Sequence, residues 1–170
     1  MCIRDSYMIA AELGDLDSQN MVGYMYKNGY GVAEDYKKAC YWFEKAANQG
    51  YASAQRNLGI MYRFGYGVAQ NYQEAFYWFE KAAEQGNWSI QMELAEMYEY
   101  VKPVQMNRVI YWYEQAANQG YIVAQTRLER IYLYGQGVPV DKEKGLYWQK
   151  KAAEQKIENS KFDAKMHIKF

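Results

Sequence analysis

Proline is nearly absent, with two residues in 170, so little in the chain interrupts a helix. Cysteine is equally scarce. Cys2 and Cys40 cannot make a disulfide framework. The one histidine, His167, has no second His or Cys at ligand spacing, so no metal site is expected and His167 reads as a surface residue. Net charge is also missing: Lys+Arg and Asp+Glu both number 20, which removes any general attraction to nucleic acid or to an anionic membrane. A mean hydropathy of −0.59 and the lack of a long apolar run argue against membrane insertion.

Aromatic residues, by contrast, are plentiful, with 19 Tyr and 5 Trp, and they recur at fixed intervals. The run Tyr41-Trp42-Phe43-Glu44-Lys45-Ala46-Ala47-Asn48-Gln49-Gly50 returns as Tyr77-Trp78-Phe79-Glu80-Lys81-Ala82-Ala83-Glu84-Gln85-Gly86. It returns again as Tyr111-Trp112-Tyr113-Glu114-Gln115-Ala116-Ala117-Asn118-Gln119-Gly120, and last as Tyr147-Trp148-Gln149-Lys150-Lys151-Ala152-Ala153-Glu154-Gln155. The four Trp are spaced by 36, 34 and 36 residues. Between these runs lies a second block, Ala54-Gln55…Leu58-Gly59…Tyr62…Gly65-Tyr66-Gly67-Val68, with counterparts from Gln19 to Val32 and from Ala124 to Val138.

Each unit reads as helix A, a Gly-x-Gly-Val turn, helix B and a Gln-Gly turn. Ala54, Leu58, Met61 and Tyr62 share one face of helix A, and Ala75, Trp78, Phe79 and Ala82 share one face of helix B. Gly50, Gly86 and Gly120 are expected to end helix B in the left-handed region, and Asp35 and Asp141 to cap the start of helix B. Trp42, Trp78, Trp112 and Trp148 are expected in the core. One such unit cannot bury its apolar face alone, so the copies must stack.

This pattern closely resembles the Sel-one-like repeat, a relative of the tetratricopeptide repeats, over residues 10–155. The resemblance implies an all-α fold: a right-handed α/α superhelical solenoid of two-helix repeats, about four units with a truncated first helix. The division expected is a solenoid over 7–155 and a capping helix or tail over 156–170, where Lys156 replaces the glycine after Gln155. Residues 1–6, Met1-Cys2-Ile3-Arg4-Asp5-Ser6, match no repeat position and look like a translated sequencing adaptor. They are expected to be non-native, with the natural protein extending upstream. In copy three, Glu99 to Val104 replaces the Gly-x-Gly-Val turn with two residues fewer, so a different turn around Pro103 and a shortened helix A or local bend are expected.

No catalytic constellation accompanies the repeats. Cys40 has no His–Asn/Asp pair to activate it and reads as a half-buried, inert thiol. The Gly-x-Gly motifs lack a preceding strand and read as turns rather than phosphate cradles. Some members of the family carry a disulfide within each repeat and bind β-lactams; this chain has no such cysteine pair. No cofactor is expected.

Function in a repeat protein should lie in the positions that vary between copies. On helix A these registers are Asn20/Arg56/Met92/Thr126, Met21/Asn57/Glu93/Arg127, Tyr24/Ile60/Glu96/Arg130, Lys27/Arg63/Glu99/Leu133 and Asn28/Phe64/Tyr100/Tyr134. In related solenoids helix A lines the concave wall. The candidate partner-binding residues are therefore Tyr24, Arg56, Ile60, Phe64, Glu93, Glu96, Tyr100, Arg127, Arg130 and Tyr134, a mixture of aromatics and arginines typical of interface hot spots. A structural alternative is that Glu93 and Glu96 pair with Arg127 and Arg130 across stacked helices. Trp88, outside the repeat pattern, is either an exposed contact or a compensation for the altered third copy. The reading is a non-catalytic scaffold for a protein or peptide. The alternative is a regulatory or targeting segment of a larger protein, in one of the compartments where the family occurs: cytoplasm, periplasm or outside the cell.

Overall fold

Nine helices are present among the described residues of the computed structural model, which are 3–167 for the backbone and 4–162 for side chains; no strand occurs among them. They are α1 (Ile3–Glu12), α2 (Leu16–Asn28), α3 (Tyr36–Asn48), α4 (Ala52–Phe64), α5 (Tyr72–Ala83), α6 (Trp88–Tyr100), α7 (Met106–Asn118), α8 (Ile122–Tyr134) and α9 (Lys142–His167). The result is an all-α repeat solenoid. It divides into two units, Met1–Gln85 and Gly86–Phe170. Cys2 and the side chain of His167 lie outside the described residues.

In the first unit, α2 packs on α3 and α4 on α5 as the A and B helices of two repeats, while α1·α2 and α3·α4 form the junctions between repeats. The A-to-B turn follows from its glycines. Gly65 ends α4 at φ 71°, where its N–H reaches Met61 O, and Asn71 N returns to Tyr62 O at 2.9 Å. Gly67 answers a packing need as well: a Cβ there would lie 2.4 Å from the Tyr36 carbonyl, so the turn rests directly on the start of α3. The helix starts also follow expectation. Asp35 Oδ1 accepts from Lys38 N, and Asn71 does the same work for Gln73 and Glu74.

The core of this unit is built from small residues and one large ring per repeat. Ala39, Phe43, Ala46, Ala47, Ala54, Leu58 and Met61 are buried together with Cys40. Phe43 packs on Gly23 and Phe79 on Gly59, so each helix A carries a glycine where the partner ring presses on it. Trp42 is buried, but Trp78 is only partly so, a departure from the expectation that all four Trp are core. Cys40 is buried rather than half-buried, with its Sγ 3.1 Å from Tyr66 O. Burial, and then the nearby Glu44 carboxylate, push its thiol up to about 11, which keeps it protonated and unreactive.

The second unit repeats the plan with α6·α7, α7·α8 and α8·α9. Here α6 ends at an extended residue, Val101 (φ −82°, ψ 132°), and the Lys102–Pro103 peptide is cis. The helix is not shortened as expected: α6 has 13 residues, like α2, α4 and α8. Leu94, Ala95, Met97, Trp112, Tyr113, Leu128 and Ile131 form its core. Asp141 Oδ1 caps α9 through Lys144 N at 3.0 Å. With Lys156 in place of glycine the chain does not turn after Gln155, and α9 runs on through 156–167 as one 26-residue helix.

Glutamines tie the stacked repeats together. Gln19, Gln55 and Gln125 each donate from Nε2 to a carbonyl at the end of the preceding helix B: Ala11, Ala47 and Ala117, at 3.1, 3.1 and 3.0 Å. Their burial requires such partners, and the recurrence of Gln at this register in every copy is the sequence signal for it.

Candidate partner-binding surface

In the first unit the candidate residues lie on α2 and α4. Asn57 Nδ2 of α4 donates to Asn20 Oδ1 of α2 at 2.8 Å, joining two of the variable registers, and the hydroxyl of Tyr51, just before α4, donates to Asp17 Oδ1. Arg56 and Ile60 are half-buried in this region. Nearer the C-terminal ends, the side chains leave the core. Tyr24, 42% exposed, leans on Tyr30 with ring centroids 5.9 Å apart. Phe64, 51% exposed, stacks on Tyr66 at 5.6 Å, and Tyr66 stacks on Tyr36 at 5.0 Å. The Arg63 guanidinium covers the Phe64 ring at 5.1 Å. The result is a run of partly open rings, Phe64–Tyr66–Tyr36, at the A-to-B turn. Sequence registers alone pointed to Phe64 but missed Tyr66 and Tyr36, because the turn folds back over the start of α3.

In the second unit the candidates lie on α6 and α8. Tyr100 and Tyr134, at the last positions of these helices, are 77% and 71% exposed. Arg127 and Arg130 are exposed, whereas Glu93 and Glu96 are half-buried. Glu96 and Arg127 both act on Tyr113, the fully buried ring of α7 where the earlier copies have Phe. Burial raises the Tyr113 pKa most. Glu99 adds to it, Arg127 opposes it and Glu96 adds again. The Tyr113 hydroxyl makes no hydrogen bond of proper geometry, so Glu99 acts on it chiefly through charge. Two of the four charged candidates, Glu96 and Arg127, thus have Tyr113 as a neighbour in common.

Met92 takes a place other than its register suggests, and Trp88, which has no register, finds its neighbour across the repeat. Met92, in the register of Arg56, is buried at 7% exposure and belongs to the core. Trp88 stacks on Tyr121 with centroids 4.1 Å apart, so it packs between α6 and the start of α8 while keeping one face open. Among the described residues, no group of three or more His, Cys, Asp or Glu is placed to hold a metal ion, and no helix is long and apolar enough to cross a membrane.

Stacked A/B helix pairs with exposed, copy-specific side chains define a helical-repeat protein. The sequence matches the Sel1 repeat model at residues 16–51, 52–87, 91–121 and 122–156, and the chain belongs to that family. These spans correspond to the pairs α2–α3, α4–α5, α6–α7 and α8–α9, with the third beginning inside α6 and the fourth ending inside α9. Among solved structures, the protective antigen c5321 of uropathogenic Escherichia coli, which displays an SLR fold, is similar with 35% identity and a TM-score of 0.72, over 89% of this chain and 33% of that one. A Sel1 repeat protein from Oxalobacter formigenes is similar at 33% identity and a TM-score of 0.68, over 84% of this chain and 59% of that one. The immunity protein Pa5087 of Pseudomonas aeruginosa shares the fold at 24% identity and a TM-score of 0.52, over 90% of this chain and 57% of that one. The chain therefore spans a third of the first relative and under three fifths of the second. No curated protein matches the sequence significantly. Sel1 repeats generally mediate protein–protein interactions and are generally non-catalytic modules.

Proposed function

We propose that this chain is a non-catalytic scaffold that binds a protein or peptide partner through its helix-A side chains. The observation that carries the reading is the exposure of one aromatic residue at the same register of three successive A helices: Phe64, Tyr100 and Tyr134. These rings sit on helices whose other faces are packed, so the backbone that carries them is in place before a partner arrives, and each ring has only two χ angles to immobilise on binding. Tyr24 and Arg56 extend the set in the first unit, and Arg127 and Arg130 in the second. Aromatic rings beside guanidinium groups supply the contacts that dominate protein interfaces. Ile60 contributes apolar area, and Glu93 and Glu96 contribute the acidic complement to a basic partner segment.

A second reading, a regulatory or targeting segment of a larger protein, is favoured by the partial share of the relatives' lengths that the chain spans. The two readings agree on the binding surface. They differ in whether a second, covalently attached domain is the effector.

The test is an affinity capture with mass spectrometry, comparing the native chain with a variant carrying Phe64→Ala, Tyr100→Ala and Tyr134→Ala. A partner taken by the native chain and lost by the variant, at unchanged helicity, is the expected result. A partner retained by both removes the helix-A surface from the account.

A further inference from the structure

Three glutamine pairs clasp helix A to helix B within a repeat, and the fourth is not made. Gln19, Gln55 and Gln91 accept at Oε1 from the Nε2 of the glutamine that ends the next helix B: Gln49 at 3.2 Å, Gln85 at 2.8 Å and Gln119 at 2.8 Å. Each donor directly precedes a glycine of positive φ, at 89°, 91° and 85°, which breaks the helix and lets the amide swing across. Gln125 holds the fourth acceptor place. It is 3% exposed, and its Nε2 is bound to Ala117 O, yet its Oε1 has no hydrogen-bond partner in the protein. Its expected donor, Gln155, is followed by Lys156 rather than glycine. The helix continues, and Gln155 Nε2 turns to Asn159 Oδ1 and Glu158 Oε2 at 3.2 and 3.4 Å. Gln125 and Gln155 line a cavity of about 300 Å³ together with Gln119, Gly120, Tyr147 and Lys151.

We propose that this cavity binds a primary carboxamide, the side chain of a glutamine in a peptide partner, whose N–H donates to Gln125 Oε1 as Gln49, Gln85 and Gln119 do at the earlier joints. This site goes beyond the helix-A surface and uses none of its residues. A buried acceptor selects a donor. A carboxylate would set oxygen against oxygen, and an apolar side chain would leave the acceptor unpaired. The cavity lies at the C-terminal end of α7, where helix carbonyls reinforce the preference for N–H groups. Tyr147, packed edge-on against Trp148 at 5.0 Å, gives a wall for the aliphatic stem. Lys151, 5.9 Å from the Tyr147 ring centroid, is a donor for the carboxamide or a backbone oxygen. The volume is at the small end for ligand sites, which suits one side chain and its flanking backbone. The sequence Asn-Gln-Gly-Tyr, present at 48–51 and 118–121, is the peptide form of the group that fills two of the other joints.

The probe is acetyl-Asn-Gln-Gly-Tyr-amide, titrated into the ¹⁵N-labelled full chain, with a peptide carrying norleucine in place of Gln as control. The expected result is a saturable shift of the Gln125 side-chain NH₂ signals and binding about tenfold or more tighter than the control. Lys156→Gly, which gives Gln155 the turn it needs to close the joint itself, is expected to weaken probe binding at least about tenfold. Gln155→Ala, which removes that competitor, keeps or tightens it. No shift at Gln125, equal affinity for the norleucine peptide, or native affinity in Lys156→Gly would each overturn the proposal. Because the probe contacts neither Tyr100 nor Tyr134, its failure leaves the helix-A reading standing, and failure of that reading leaves this one.

Discussion

The ring of Phe79 rests on the α-carbon of Gly59: a Cβ placed there would lie 2.7 Å from Cδ2 and 3.2 Å from the Ala75 carbonyl. The same relation holds between Phe43 and Gly23, where the distance would be 2.6 Å. A helical glycine is unfavourable by roughly 1 kcal/mol relative to alanine, so its presence mid-helix marks a contact that needs the missing methyl. In the last copy both partners change together: Gln149 stands for the ring, Glu129 for the glycine, and Gln149 Nε2 donates to Glu129 Oε1 at 2.9 Å.

Gly59→Ala should therefore lower stability, by about 1–2 kcal/mol net, since overpacking of about 1–3 kcal/mol outweighs the helix-propensity gain. Urea denaturation checks the sign. A Gly59→Ala, Phe79→Leu double variant should recover part of the loss, because the shorter side chain makes room. A stabilised Gly59→Ala would mean that the ring moves aside at no cost.

Removing a glutamine from a joint should cost more at the acceptor than at the donor. Gln55→Leu removes from a buried position one donor to Ala47 O and one of the two acceptors of Gln85 Nε2, and is expected to destabilise by about 1–3 kcal/mol. Gln85→Ala takes the donor from two acceptors, Gly50 O and Gln55 Oε1, but Gln85 and Gly50 are exposed and water can replace it there, so it should cost less. A double-mutant cycle between Gln55 and Gln85 should give a coupling above about 0.5 kcal/mol.

Alkaline pH should weaken the fold through Cys40. Its folded-state pKa is raised from 9.0 to about 11, so folding favours the protonated thiol. That contribution is fully present below pH 9 and is lost as pH rises from about 9 toward 11, because the unfolded chain gives up its proton first. Burial raises Tyr113 and Tyr62 in the same direction. Denaturation midpoints measured across pH 8–11 should fall, and Cys40→Ala should flatten part of that slope. Peptide mapping after thiol labelling at pH 8 should find Cys40 unmodified in the folded chain and modified in urea.

Asp141→Ala should destabilise α9 by about 1 kcal/mol through loss of the bond to Lys144 N. Amide exchange at the first turn of α9 reads this directly, with faster exchange at Lys144 and little change in α6.

What the sequence made legible was whatever each copy states by itself. The period, the A and B helices, the glycine turns and the caps at Asp35 and Asp141 all depend on residues within one repeat, and they stand where expected. What escaped depends on residues meeting across the fold. Nothing local marks Trp78 as less buried than Trp42, or Met92 as core while its register neighbour Arg56 is not. A shortened α6 was one of the two outcomes expected of the turn at Pro103, the other being a local bend; an extended Val101 ends the helix at the usual length. Of the site, the exposed rings Phe64, Tyr100 and Tyr134 were legible from their register, whereas the Phe64–Tyr66–Tyr36 stack and the Gln125 cavity appear only when the turns and helix ends are placed.

The most direct test of the scaffold account is site-specific photo-crosslinking. Benzoylphenylalanine would be introduced in turn at positions 100 and 134 of helix A and at positions 77 and 111 of helix B, where the exposed Tyr packs edge-on against Trp. The account predicts adducts to the same partner protein from positions 100 and 134 and none from 77 and 111. Adducts formed only from 77 and 111 would contradict it and place recognition on the helix-B face.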